Sequence, residues 1–283
     1  MTPIRPSARI LPAKEAQVGP TEVVLRPLPQ PHLRHVGPFI MLDHFGPTQV
    51  SAGQTMEVPE HPHAGFQTVT YLFSGRGKHS DSYGGDKMMY PGGVNWMTAG
   101  RGIVHEEEIG AEDPEMDGEF EGFQIWVNLP ARYKYIDSGF KAFSAEELPV
   151  IDLEGGTLRV IAGTYEDAVS PVDSYSPLFL YHIDLDAESE VTIPVPASFE
   201  VGIYTAEGTV LLEDQTIAPH QLAVYPTQEG HVRLFASEPS RLMIMGGEPL
   251  GEPMASYGPF VMNTMDEIRE VMDAYQRGEF GSL

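Results

Sequence analysis

Glu60-His61-Pro62-His63-Ala64-Gly65-Phe66-Gln67-Thr68-Val69-Thr70-Tyr71-Leu72-Phe73-Ser74-Gly75 opens the stretch on which the fold turns, and Val94-Asn95-Trp96-Met97-Thr98-Ala99-Gly100-Arg101-Gly102-Ile103-Val104-His105-Glu106-Glu107 closes it. Three of the chain's ten histidines and a carboxylate stand at the ends of short, β-branched runs, the way an all-β barrel gathers a metal site from strands distant in sequence. His61 and His63 lie at i and i+2, so on a strand both side chains leave the same face and reach one ion, while Pro62 points away and keeps the backbone extended. His105 and Glu107 repeat that spacing. A single His-X-His is often only a surface pair; the second pair is what points to a metal. Three imidazoles and one carboxylate suit Fe, Mn, Co, Ni, Cu or Zn, and four protein ligands leave positions open on an octahedral ion, as in a catalytic or sensory centre.

Working outward, a Pro-rich lead (Pro3, Pro6, Pro12, Pro20) precedes Val36 to Pro47, which reads as a short apolar strand ending in a turn. Strand patterns follow at Gln67–Phe73, Lys87–Tyr90, Val94–Thr98 and Phe120–Asn128, each bounded by Gly or Pro, and such short, regularly punctuated runs argue for a sandwich or barrel. Ser144-Ala145-Glu146-Glu147 reads as a capped turn, and a boundary is placed there between domains 1–145 and 146–283. A second β series then runs from Thr157 to Gly246 in the same rhythm, which points to duplication of one architecture. The tail differs: Thr264 as cap, acidic residues in the first turn, apolar Met265, Ile268, Val271, Met272 and Tyr275, and Gly278 as a stop predict one helix whose stripe packs on a barrel.

The 283 residues include no cysteine, so disulfides, thiolate nucleophiles and Cys-based metal sites are excluded. Forty-one acidic against 17 basic residues give a net charge of −24, which repels a phosphate backbone and disfavours direct nucleic-acid binding. No long charge-free apolar run predicts a membrane span, and the start, Met1-Thr2-Pro3-Ile4-Arg5-Pro6, lacks a secretory pattern, which favours a cytoplasmic setting. His44 and His79 are expected in structural roles. His182, His220 and His231 have no i, i+2 partner, so the second half is expected to be metal-free. Gly75-Arg76-Gly77-Lys78 and Gly100-Arg101-Gly102 read as β-turns, and no Gly-X-Ser-X-Gly elbow supports hydrolase chemistry.

The two blocks resemble the cupin superfamily through His61 and His63, with Gly85, Pro91 and Gly93 matching the start of its second motif. They depart from it at Gln67, where the motif has Glu, and at Trp96, where it has His. That pattern is similar to one cupin branch, the pirin family, whose His-Pro-His-X-Gly-Phe-Glu-Thr-Val-Thr-Tyr and Trp-Met-Thr-Ala-Gly-Arg-Gly-Ile-X-His-X-Glu match His61–Tyr71 and Trp96–Glu107 almost residue for residue. The resemblance implies a bicupin of two face-to-face antiparallel jelly-roll barrels with a C-terminal helix. It implies Fe(II) in the first barrel on His61, His63, His105 and Glu107, and a second barrel without metal. Gln67, where the family has Glu, is expected to alter a hydrogen bond around the ligands and to leave binding intact. Quercetin 2,3-dioxygenase activity on flavonols or related enolic aromatics is the implied function, with Glu107 as base and carbon monoxide expelled. The alternative it implies is an iron-dependent regulator that binds a protein partner without catalysis.

Overall fold

The computed structural model describes residues 3–6, 8–18, 22–51, 56–109 and 118–283; Met1, Thr2 and Pro20 of the lead lie outside these. The chain is mostly β, forming two cupin barrels, each built from one seven-stranded and one four-stranded sheet. By their mutual contacts, Gln17–Val24, Asp43–Glu147 and Gly251–Leu283 form one unit, and Met1–Ala16, Leu25–Leu42 and Leu148–Leu250 the other. The chain leaves the first of these units after Glu147 and rejoins it at Gly251, so the C-terminal helix groups with that unit.

In the first barrel the four-stranded sheet runs in the order Met56–His63, Ile103–Ile109, Gly77–Asp81, Asp86–Met89. Its seven-stranded sheet runs Gly139–Phe143, Val94–Thr98, Phe66–Ser74, Gly118–Asn128, Phe39–Val50, Glu22–Leu28, Lys14–Val18. The second barrel repeats the order except at one edge of its larger sheet, where Arg9–Pro12 takes the place that Gly139–Phe143 has in the first. Ser189–Ile193, Val232–Ala236, Val210–Leu212 and Gln215–Ile217 make its smaller sheet, so Ser189–Ile193 and Val232–Ala236 stand where the first barrel carries Met56–His63 and Ile103–Ile109. Their inward positions are Val191, Ile193, Val232 and Leu234, which join Tyr181, Phe179 and Ile203 in a continuous apolar core. Apolar side chains thus fill the space that imidazoles line in the first barrel.

Two segments depart from the sequence reading. The strand Phe39–Val50 continues through Gly46-Pro47, where a turn was expected, because Gly46 at φ +79° lies so close to the Phe120 carbonyl that a Cβ would stand 2.1 Å from it. Gly77–Asp81 is a strand although its first residues read as a turn; its alternating burial at Gly77, His79 and Asp81 carries the period of two.

The helix Met265–Gln276 begins on a capping box: Thr264 Oγ1 accepts from the Glu267 N–H, and Glu267 Oε2 accepts from the Thr264 N–H at 2.7 Å. Ile268 and Val271 bury with Phe260, Met262 and Phe280 against Ala64 and Val104, so the helix packs on the barrel as expected. The Val261 N–H donates to the Ala64 carbonyl at 3.0 Å, which ties this segment to the residue after His63. Among the described residues no helix is long and apolar enough to cross a membrane.

Candidate metal centre

Antiparallel pairing sets His105 opposite His61 and Ile103 opposite His63. The register then slips, and Glu107 meets Val58, so three residues of Met56–His63 match two of Ile103–Ile109 in a β-bulge. On its other edge Ile103–Ile109 pairs unbroken with Gly77–Asp81, placing Asp81 opposite His105 and His79 opposite Glu107. All six polar side chains therefore leave one face.

His61, His63 and His105 each bring a ring nitrogen within 4.8 Å of the others, with ring centroids 4.2 to 5.0 Å apart. The Nδ1 of His61 lies 2.8 Å from the Pro59 carbonyl and that of His63 lies 3.3 Å from the Pro259 carbonyl. Carbonyls only accept, so both Nδ1 atoms carry hydrogen and both Nε2 lone pairs are left for an ion.

His105 is fixed through a longer chain. Asp81 Oδ1 accepts the N–H groups of Tyr83 and Gly85, and Oδ2 lies 3.0 Å from His79 Nε2. A carboxylate accepts, so His79 Nε2 donates and His79 Nδ1 is a lone pair. That lone pair lies 3.5 Å from His105 Nδ1, which therefore carries hydrogen and leaves His105 Nε2 as an acceptor. This Nε2 is buried and has no partner among the described residues. A buried nitrogen lone pair beside two others, with no donor facing it, fits a divalent ion of nitrogen-loving character. Phe140 stacks on the His79 ring at 4.1 Å and holds its plane.

Glu107 is placed differently. Its Oε1 accepts the Thr70 hydroxyl at 3.0 Å and its Oε2 the Gln124 amide at 3.3 Å. It groups within 4.8 Å with His105 and His79, and is not part of the three-histidine group. Gln67 corrects an expectation: neighbouring Thr68 and Thr70 share the face toward Glu107, while Gln67 leaves the opposite face and donates to Thr98 Oγ1 at 2.9 Å. Strand alternation turns it away from Glu107.

Burial pushes the His63 imidazole down to about 3, helped by His61 and opposed by the Pro259 hydrogen bond. Burial also holds His105 well below its usual value, with His63, His61 and His79 adding to it. Burial would raise the Asp81 carboxyl, but the His79 contact and the two N–H groups outweigh it and hold it low. Both imidazoles are neutral in the fold, as metal binding requires. The sign for stability follows: the unfolded chain takes protons below about pH 6.5 that folded His63 and His105 refuse, so stability is full above that pH and falls toward pH 3. Between pH 6.5 and 5 the metal-free protein is expected to lose stability at both groups, about 1.5 kcal/mol of it from His63. Urea unfolding across this range measures it; an unchanged profile in the His63→Gln, His105→Gln double variant would assign the loss to other groups.

Four other histidines serve elsewhere. His44 is buried, lies 2.9 Å from Glu121 and stacks on Phe123, a structural role as expected. His182 faces Asp184, His220 the Tyr204 hydroxyl, and His231 accepts from the Val195 N–H, so the three do not converge. His79, expected to support rather than ligate, stands between Asp81 and His105; Asp81 was not singled out, and its i, i+2 spacing from His79 was the available signal.

The pirin family model matches residues 21–127, and the model for the pirin C-terminal cupin domain matches residues 180–281. A pirin-like protein of Caulobacter vibrioides is 36% identical over 282 residues, covering 98% of this chain and 100% of that one. Human pirin is 33% identical over 276 residues, covering 95% and 91%. The crystal structure of quercetin 2,3-dioxygenase from Acinetobacter baumannii superposes with a TM-score of 0.92 at 34% identity, covering 100% of this chain and 99% of that one.

Proposed function

The chain belongs to the pirin family, and from that membership we propose that it is a metal-dependent dioxygenase cleaving quercetin-type flavonols or related enolic aromatics with O2. In this reading His61, His63, His105 and Glu107 hold the ion, Fe(II) by preference. The observation that carries it is the buried, unpartnered His105 Nε2 facing two imidazoles whose Nδ1 atoms are already committed. A bound redox-active ion supplies Lewis acidity and access to O2 chemistry.

The chain's own residues do the rest. Thr70 and Gln124 each donate to Glu107, which fixes the carboxylate plane and leaves it a base for a substrate hydroxyl proton. Trp126, its ring 5.4 Å from that of His63 and tilted against Phe66 at 4.3 Å, gives the site an aromatic wall that limits water.

Quercetin incubated aerobically with the Fe(II)-loaded protein is expected to be consumed with release of carbon monoxide, and not to be consumed without O2. No consumption under any loading with Fe, Mn, Co, Ni or Cu would overturn the reading and leave the partner-binding alternative.

A further inference from the structure

The strand Val94–Thr98 lies beside Phe66–Ser74 with Asn95 opposite Thr70, and Thr70 in turn lies opposite Gln124. Three polar side chains therefore stand abreast on one face. Thr70 and Gln124 both bond Glu107; Asn95, only 7% exposed, has an Nδ2 with no partner among the described residues. Buried amide donors are almost always satisfied, so an orphan one asks what it faces.

A cavity of about 240 Å3 answers, lined by Asn95 and Thr70 with Leu72, Lys87, Met89 and Phe143. Its lining is mostly apolar, and its one charged residue, the exposed Lys87, is a cation in a chain whose net charge is −24. An oxygen acceptor suits both the Asn95 amide and the Lys87 ammonium, a negative one best, because a charged acceptor strengthens both bonds. Leu72, Met89 and Phe143 suit the faces and edge of an aromatic ring. The volume lies below the ~300–1,000 Å3 of pockets that enclose drug-sized ligands, which limits the occupant to about one ring.

We propose that this cavity is a ligand subsite for a single-ring aromatic bearing a carboxylate or ionised hydroxyl, held by Asn95 and Lys87 and coupled to Glu107 through Thr70. It goes beyond the flavonol reading and does not depend on it. An oxygen bound at Asn95 sits beside the hydroxyl that donates to Glu107, so occupancy is felt at that carboxylate.

The test is calorimetric titration of the full chain with 4-hydroxybenzoate, whose para groups cannot chelate an ion, before and after loading with Fe(II). Saturable 1:1 binding is expected in both states, at least tenfold weaker in Asn95→Leu and severalfold weaker in Lys87→Met, with benzylamine not binding. Asn95→Leu is expected to melt no lower than the parent, since it removes a donor that had no partner. Equal affinity in parent and Asn95→Leu, or no saturable binding of 4-hydroxybenzoate or benzoate, overturns the proposal. A protein that binds 4-hydroxybenzoate this way but leaves quercetin intact would retain the subsite and lose only the flavonol reading.

Discussion

Replacing His105 with leucine is expected to lower metal affinity by more than about 100-fold while leaving the metal-free fold nearly as stable as the parent. Losing a residue that merely supports a ligand costs about 10–100-fold, so losing the ligand itself exceeds that. The fold survives for a separate reason. His105 Nε2 is a buried acceptor with no partner, which costs about 1–3 kcal/mol in the empty protein. Leucine removes that cost and in exchange leaves His79 Nδ1 without its hydrogen-bond donor, so the two changes offset to within about 1 kcal/mol. An ion at 100 times its Kd adds about 2.7 kcal/mol to the parent, and this increment should vanish in the variant. Metal analysis after gel filtration, paired with thermal melts with and without metal, reads both quantities. Asp81→Asn is the milder companion: it weakens the acceptor that sets the His79 and His105 tautomers and should fall in the 10–100-fold range. Retention of one ion per chain in His105→Leu would show that the ion binds elsewhere.

Lys134→Met should destabilise the protein by about 3–5 kcal/mol. Lys134 is 1% exposed, and its ammonium donates to the Gly65 carbonyl at 2.7 Å, the Val261 carbonyl at 2.8 Å and Asn128 Oδ1. Burial pushes it down to about 7 against the pull of Glu252 and Glu267. Methionine fills much the same volume but orphans three buried oxygens, each costing about 1–3 kcal/mol before relaxation. The damage has a direction. Gly65 follows the His63-Ala64 pair, Val261 donates to Ala64, and Pro259 accepts from His63, so loosening the segment 258–262 also frees the His63 ring. Urea unfolding and amide exchange at Val261 measure the two effects; a loss under about 1 kcal/mol would show that water replaces the ammonium. Gly65 itself tolerates no side chain, because at φ +85° a Cβ would stand 2.0 Å from the Val261 carbonyl.

Much of this molecule is legible in its sequence because the governing signals are local. Strand period, Gly and Pro punctuation and the Thr264 cap act within a few residues, and they located Val94–Thr98, Leu178–Leu185 and the terminal helix with little error. The i, i+2 spacing of His61 and His63, and of His105 and Glu107, is local too, and it set the type of donor and the face each pair leaves. Other features depend on register between strands tens of residues apart, which no local period encodes. The bulge beside Glu107 and the Asp81–His79–His105 chain belong here, as does the orphaned Asn95 amide above the cavity. So does the place of the C-terminal helix, settled by contacts between Ala64 and residues nearly 200 positions away. The sequence alone determined which side chains this protein can offer an ion and that they sit on strands of a twice-repeated β architecture. Only the tertiary structure decided which lone pairs converge, because strand pairing, and the carbonyls and carboxylates it brings opposite each ring, fix where every proton lies.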